Sequence, residues 1–179
     1  MATILLGVTG SIAAYKACEL TRLFVKNGHV VHVLMTHAAT CFVTPLTFRT
    51  LSRHAVSVDL FDAPEAWIPE HIALAEQAEA MVIAPFTANV IAKLAHGLAD
   101  DLMSATALAT RAPLILAPAM NNGMWDNQAT QINLATLVTR GALIVDTNEG
   151  DLACGTSGKG RMAEPSVIYD AVVRHLSRQ

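Results

Sequence analysis

Met81-Val82-Ile83-Ala84-Pro85-Phe86-Thr87-Ala88-Asn89-Val90-Ile91-Ala92-Lys93 is the stretch on which the reading of the fold turns. Met81 to Ala84 is a short unbroken apolar run, the pattern of a strand buried on both faces. Pro85 has no N–H to give to a ladder and is expected to end the strand. Thr87 and Asn89 are good helix N-cap residues, Val90 to His96 reads as the helix, and Gly97 closes it. A strand that passes through a polar turn into a helix leaves free backbone N–H groups at the carboxyl edge of a sheet, where the helix dipole also favours anions. Read alone, the segment is either an ordinary capped βα loop or such an anion site. Similar strand-end loops with small polar residues recur along the chain, and they favour the second reading.

Upstream, Thr3 to Val8 is an apolar strand, Gly7-Val8-Thr9-Gly10-Ser11 is a tight turn, and Ser11 is the expected N-cap. Ala13, Ala17, Leu20 and Phe24 then fall on one helical stripe, which Asn27-Gly28 closes before a second strand, Val30 to Met35. These pieces make a βαβ unit, which implies a right-handed crossover and a parallel sheet. The expected fold class is therefore α/β, a Rossmann-like (flavodoxin-like) three-layer sandwich, with residues 1–179 forming one domain. The first turn does not carry the dinucleotide pattern G-x-G-x-x-G, and the second strand ends in Met35-Thr36 rather than in a ribose-binding acid. NAD is disfavoured. The hydroxyls of Ser11 and Thr36 at neighbouring strand ends suit a phosphate or a flavin, with simple capping as the other reading.

Further along, Thr36 to Phe42 reads as a turn and short helix, Pro45 to Leu51 as another helix, and Val56 to Val58 as a brief strand. Asp59 to Glu70, with Pro64, Trp67 and Pro69, is long enough to be a functional loop. His71 follows at a helix start, where a lone histidine is a cap, a surface residue or a catalyst. Asp100 and Asp101 cap a helix running through Thr110, and Pro113 to Leu116 is a strand. Ala117-Pro118-Ala119-Met120-Asn121-Asn122-Gly123-Met124-Trp125 is again a strand end. Asn121 there could recognise a carboxylate or amide, and Met120, Met124 and Trp125 are either a flat wall for a ring or core. Asn127 to Thr139 is helical and Ala142 to Val145 is the last expected strand. Glu149 to Met162 has four glycines around Cys154, Lys159 and Arg161 and reads as a mobile flap that closes over an anionic substrate, or else as a disordered hairpin with an idle thiol. Its spacing is not that of a Walker A loop. Pro165 opens a C-terminal helix.

Composition narrows the function classes. Charged residues make up 15% of the chain against roughly 25% in an average soluble protein, which favours a homo-oligomer. The apolar fraction of 53% and mean hydropathy of +0.40 exclude global disorder. A net charge of −3 argues against nucleic acid or an anionic membrane as partner. No apolar run has the length of a membrane span, and no basic residue precedes Lys16, so the charged start of a signal peptide is missing. The three cysteines, Cys18, Cys41 and Cys154, lie far apart and form neither a disulfide framework nor a metal site. A reduced, cytoplasmic protein is expected.

Four motifs together carry a resemblance: Gly10-Ser11-Ile12; Pro85-Phe86-Thr87-Ala88-Asn89; Pro118-Ala119-Met120-Asn121 with Met124; and Ala153-Cys154-Gly155 with Gly160-Arg161-Met162. In these the sequence resembles the homo-oligomeric flavin-containing cysteine decarboxylases over essentially the whole chain. It is most similar to the branch that acts in coenzyme A biosynthesis. Where members commonly read Ala-Ser-Ala-Asn-Thr, this chain has Phe86-Thr87-Ala88-Asn89-Val90, so Thr87 stands for the usual serine. The resemblance implies FMN at the carboxyl edge of the sheet, held by Gly10, Ser11, Ile12, Thr36, Thr87 and Asn89, with Ala119 near the ring. It implies His71 as the catalytic histidine, Cys154 as the proton donor on a substrate flap spanning residues 149–162, and Asn121 as the ligand of the substrate carboxylate. Met124, Lys159 and Arg161 complete the substrate site, and no metal is implied. The implied reaction is decarboxylation of 4′-phosphopantothenoylcysteine to 4′-phosphopantetheine by a trimer, or by a dodecamer built from trimers. Two alternatives stand beside it: decarboxylation of a peptidyl cysteine in lantibiotic maturation, which needs no final proton donor, and a non-catalytic flavin-binding regulatory subunit. A flavin prenyltransferase shares the broad fold but needs no Cys154 flap.

Overall fold

The computed structural model describes residues 1–61, 68–151 and 157–178. The strands are β1 (Thr3–Val8), β2 (Val30–Met35), β3 (Val56–Ser57), β4 (Ala80–Phe86), β5 (Leu114–Pro118) and β6 (Leu143–Ile144), followed by β7 (Asn148–Asp151) and β8 (Ser157–Arg161). The helices are α1 (Ala14–Lys26), α2 (His37–Thr40), α3 (Pro45–Ser52), α4 (Glu70–Gln77), α5 (Ala88–His96), α6 (Leu102–Ala109), α7 (Asn122–Asp126), α8 (Gln128–Thr139) and α9 (Pro165–Leu176).

The first six strands form one sheet in the order β3-β2-β1-β4-β5-β6, every neighbour parallel. Alternation along β1 sorts the core into two halves. Ile4, Leu6 and Val8 pack with Phe24 of α1, Phe48 of α3 and Ile168 of α9 on one face. Leu5 packs on the other face with Met81, Ile83, Ile91 of α5, Met103 of α6 and Leu134 of α8. The expected α/β three-layer sandwich is what the chain adopts. Its strand order reverses between β1 and β4, the point at which doubly wound sheets bind ligands beyond their carboxyl ends.

Thr9, the residue after β1, holds that switch point together. Its side chain is fully buried and its hydroxyl donates to the Pro85 carbonyl at 2.7 Å. The same oxygen accepts from the Thr87 amide at 3.2 Å. Thr9→Val keeps the shape and takes this partner from the buried Pro85 carbonyl and the half-buried Thr87 amide, so it is expected to lower unfolding stability by about 1–3 kcal/mol. An unchanged urea midpoint in the variant would show that these bonds contribute nothing.

Several boundaries differ from the sequence expectation. β4 runs through Pro85 to Phe86, because the register against β5 shifts between Ile83 and Phe86 and so spares the ladder a missing N–H; the Ala84–Pro85 bond is cis. α1 starts at Ala14, and Ser11 sits one turn earlier, accepting from the Ala13 amide at 3.2 Å. The strand-end loop after β5 contains a helix, α7, which is only five residues long and is capped by Asn121. β6 is not the last strand. The glycine-rich stretch, read as a mobile flap or a disordered hairpin, contributes β7 and β8, an antiparallel pair joining Asn148 to Arg161 and Asp151 to Ser157. Among the described residues no helix is long and apolar enough to cross a membrane.

Candidate active site

At the carboxyl edge the ends of β1, β2, β4 and β5 surround a cavity of about 510 Å³, within the usual size range of small-molecule sites. Gly10, Ser11, Thr36, Thr87, Asn89, Ala119 and Met124, all singled out from the sequence, line it. The first wall is the turn into α1. Its backbone hydrogen bonds are Ser11 N to Thr9 O and Ala14 N to Ser11 O, which leaves the Gly10 and Ile12 amides without a protein acceptor among the described residues. The Ser11 hydroxyl accepts from Ala13 N and the Thr36 hydroxyl accepts from Ala39 N as N-cap of α2. Each hydroxyl keeps its own proton to give to an anion. A methyl group on Gly10 would lie 2.4 Å from the Ala38 side chain, so only glycine lets this turn approach α2 so closely.

The opposite wall comes from α5 and α6. Lys93, one turn beyond Asn89, donates to Asp100 at 2.8 Å and to Asp101 at 2.6 Å. These bonds hold the Lys93 ammonium above its ordinary range. Burial works to raise the Asp101 carboxyl, but its bonds to Lys93 and to the amide and hydroxyl of Ser104 outweigh that and hold it below the usual range. Asp101 also closes a capping box at the start of α6. Met103 on that helix reaches Gly7 of β1, where a Cβ would meet its sulfur at 2.5 Å. Across the mouth, His37 Nε2 lies 2.6 Å from Asp59. Lys93, Asp101, Met103 and His37 line the cavity; the sequence reading had Asp101 as a helix cap, which it is, and gave the other three no role in the site. The spacing of Asn89 and Lys93 was a signal for Lys93, since it places both on one face of α5.

The other predicted residues lie outside this cavity. The Ile12 side chain is exposed beside it. His71 is the second residue of α4; it is half-buried rather than exposed, and its Nδ1 is buried with no hydrogen-bond partner among the described residues. The start of α4 has no side-chain cap; it is tied to β3 by the Ser57 hydroxyl donating to the Glu70 carboxylate. Asn121 caps α7, accepting from Gly123 N at 2.8 Å. The β7–β8 hairpin rests against this loop, with Met120 N donating to Gly160 O at 2.9 Å. Gly160 has φ of 121°, and a Cβ there would meet Met120 O at 2.4 Å. Lys159 and Arg161 project from β8 and are both exposed. Cys154 lies outside the described residues, as does Trp67. Among the described residues no group of three or more His, Cys, Asp or Glu could hold a metal ion.

A pair of free amides with two hydroxyl donors at one end, and a wall of Ala119, Met120, Met103 and Met124 beyond them, fits a phosphorylated planar ring such as FMN. The Flavoprotein family matches residues 1–177. The chain belongs to this family. The coenzyme A biosynthesis bifunctional protein CoaBC of Bacillus subtilis (strain 168) is 46% identical over 176 residues, 98% of this chain and 43% of that protein. This chain therefore spans less than half the length of such curated relatives. A solved cysteine-to-serine variant of PPC decarboxylase, complexed with pantothenoylaminoethenethiol, superposes with a TM-score of 0.89 at 32% identity over 98% of each chain. The FMN-binding protein AtHal3 gives a TM-score of 0.87 at 32% identity, over 99% of this chain and 98% of that one. The resemblance to flavin-dependent cysteine decarboxylases is borne out by these matches.

Proposed function

We propose that this chain is an FMN-dependent decarboxylase that converts 4′-phosphopantothenoylcysteine to 4′-phosphopantetheine in coenzyme A biosynthesis. The observation that carries the reading is the cavity at the switch point, which gathers seven residues named for cofactor or substrate from four separate strand ends. The 46% identity to a coenzyme A biosynthesis protein supports the choice of substrate.

Direct loss of CO₂ from a cysteine carboxylate would leave an unstabilised carbanion. FMN, when bound, supplies reversible hydride acceptance, which makes the substrate thiol carbon an electron sink next to the carboxylate. The chain's own residues do the rest. The Gly10 and Ile12 amides and the Ser11 and Thr36 hydroxyls hold the cofactor phosphate, while Thr87, Asn89 and Ala119 position the ring. His71 removes the first proton. Asn121 and Met124 seat the cysteine end of the substrate, and Lys159 and Arg161 offer cations from the hairpin. Cys154 returns the last proton. Residues 1–179 act as one flavoprotein domain, with residues 149–162 as the substrate flap.

A cytoplasmic homo-oligomer, a trimer or a dodecamer built from trimers, completes the reading. Ile12, Tyr15, Phe42 and Leu46 remain exposed on the segments that follow the cavity-lining residues Ser11 and Ala38, the kind of apolar surface that a subunit contact covers. His71 does not line its own cavity, which suits a flavin site shared between subunits.

The test is to denature the purified protein and identify the released cofactor, then to supply 4′-phosphopantothenoylcysteine to the intact protein and identify the products. FMN, CO₂ and 4′-phosphopantetheine are expected. Release of NAD or FAD without FMN would sink the reading. A product that stops at the oxidised ene-thiol would replace it with peptidyl-cysteine decarboxylation.

A further inference from the structure

Lys16 lies on the buried side of α1, where its side chain is only 9% exposed. A buried ammonium needs a partner. It does not line the flavin cavity, although it follows the phosphate-binding turn by one helical turn. Instead its Nζ donates to Glu164 Oε1 at 2.8 Å, across 148 positions of sequence. Glu164 is the N-cap residue of α9 but makes no side-chain cap; its carboxylate is turned to Lys16 instead. Arg161, the last residue of β8, approaches the same oxygen, with Nη2 at 3.5 Å. Two cations therefore share one carboxylate oxygen. The buried lysine holds it at full hydrogen-bond distance and the half-exposed arginine stands off.

We propose that Lys16 is a positioning residue that occupies Glu164 and thereby keeps the Arg161 guanidinium available to an anionic group of the substrate. Two cations and one anion leave this cluster with one net positive charge. Lys16 is buried, so that charge is presented through Arg161, at the foot of the hairpin that contacts Met120. The Lys16 bond holds the Glu164 carboxyl below the usual carboxylate range, so the arrangement persists at neutral pH. Without Lys16, Glu164 is free to close on Arg161 and neutralise it. Without the Glu164 charge, Arg161 is released altogether. The part of this inference that concerns substrate capture rests on the function proposed above.

The experiment uses FMN-loaded Lys16→Met, Lys16→Arg and Glu164→Gln proteins and two readouts. The first is the rate at which phenylglyoxal modifies Arg161, followed by mass spectrometry without substrate. The second is KM and kcat for 4′-phosphopantothenoylcysteine. Lys16→Met is expected to slow Arg161 modification and raise KM by about threefold to fivefold, the scale of one half-exposed ion pair, with kcat nearly unchanged. Glu164→Gln is expected to move both readouts the opposite way, and Lys16→Arg to restore them. A purely structural pair would make Lys16→Met and Glu164→Gln shift KM in the same direction, and that result would overturn the proposal. So would Arg161 reactivity that is unchanged in both variants. If Lys16→Met fails to fold, faster Arg161 modification in Glu164→Gln supports the proposal and an unchanged rate overturns it. Arg161 reactivity that shifts as expected in a protein inactive on this substrate would support the role of Lys16 and remove only the choice of substrate.

Discussion

His71→Asn should leave a yellow, folded protein whose substrate-dependent flavin reduction falls about 10²-fold or more, the usual scale for removing a general base. The fold should survive because the start of α4 is held by the Ser57–Glu70 bond rather than by His71. The imidazole is only half-buried, and its Nδ1 has no partner among the described residues, so no bond at that atom is broken. FMN should remain because the proposed cofactor contacts come from Gly10, Ser11, Ile12, Thr36, Thr87 and Asn89, whereas His71 is proposed to remove a proton and not to hold the cofactor. Stopped-flow absorbance after mixing with substrate reads the effect directly. Near-normal flavin reduction would mean that His71 merely occupies a helix start.

Cys154→Ser should separate the two halves of the reaction. A thiol with an unperturbed pKa of about 8.5 is a far better acid near neutrality than a hydroxyl. Oxidation and CO₂ loss do not use that proton, so the variant should still bind FMN and release CO₂. Reprotonation of the product should then stall, leaving the flavin bleached and the ene-thiol accumulating. Formation of 4′-phosphopantetheine should fall by about 10²-fold, as expected for a lost proton donor. Visible absorbance and mass spectrometry of the product follow the two signals. Normal production by the variant would make the thiol idle.

Local pattern carried much of the fold. Thr3 to Val8 and Val30 to Met35 were legible to the residue, because buried parallel strands write themselves as apolar runs between turn residues. Gly97 and Pro165 marked helix ends for reasons internal to the helix. What escaped depended on partners remote in sequence. Pro85 was read as a stop because the shift of β4 against β5 that accommodates it is a property of the pair. Thr9 went unassigned because its hydroxyl finds its partners at Pro85 and Thr87. The glycines of β8 suggested looseness, whereas Gly160 is there to let two backbones meet. In the site, residues at strand ends were found because the topology of a doubly wound sheet says where to look. Lys93 was not, and Asp101 was read only as a helix cap, because the salt link between them takes shape only when α5 and α6 are packed together.

The bond from Thr9 to Pro85 also bears on the order in which the molecule is made and lost. Helices can form from neighbours within microseconds, but this contact requires the chain to close a loop of 76 residues first. The cavity floor therefore exists only once β1 and β4 lie side by side at the middle of the sheet. A polypeptide emerging in order from a ribosome cannot offer a complete flavin floor until its first half has condensed. Release of FMN on heating, read as a rise in flavin fluorescence, would accordingly mark separation of the two central strands, rather than fraying at β3 or β6.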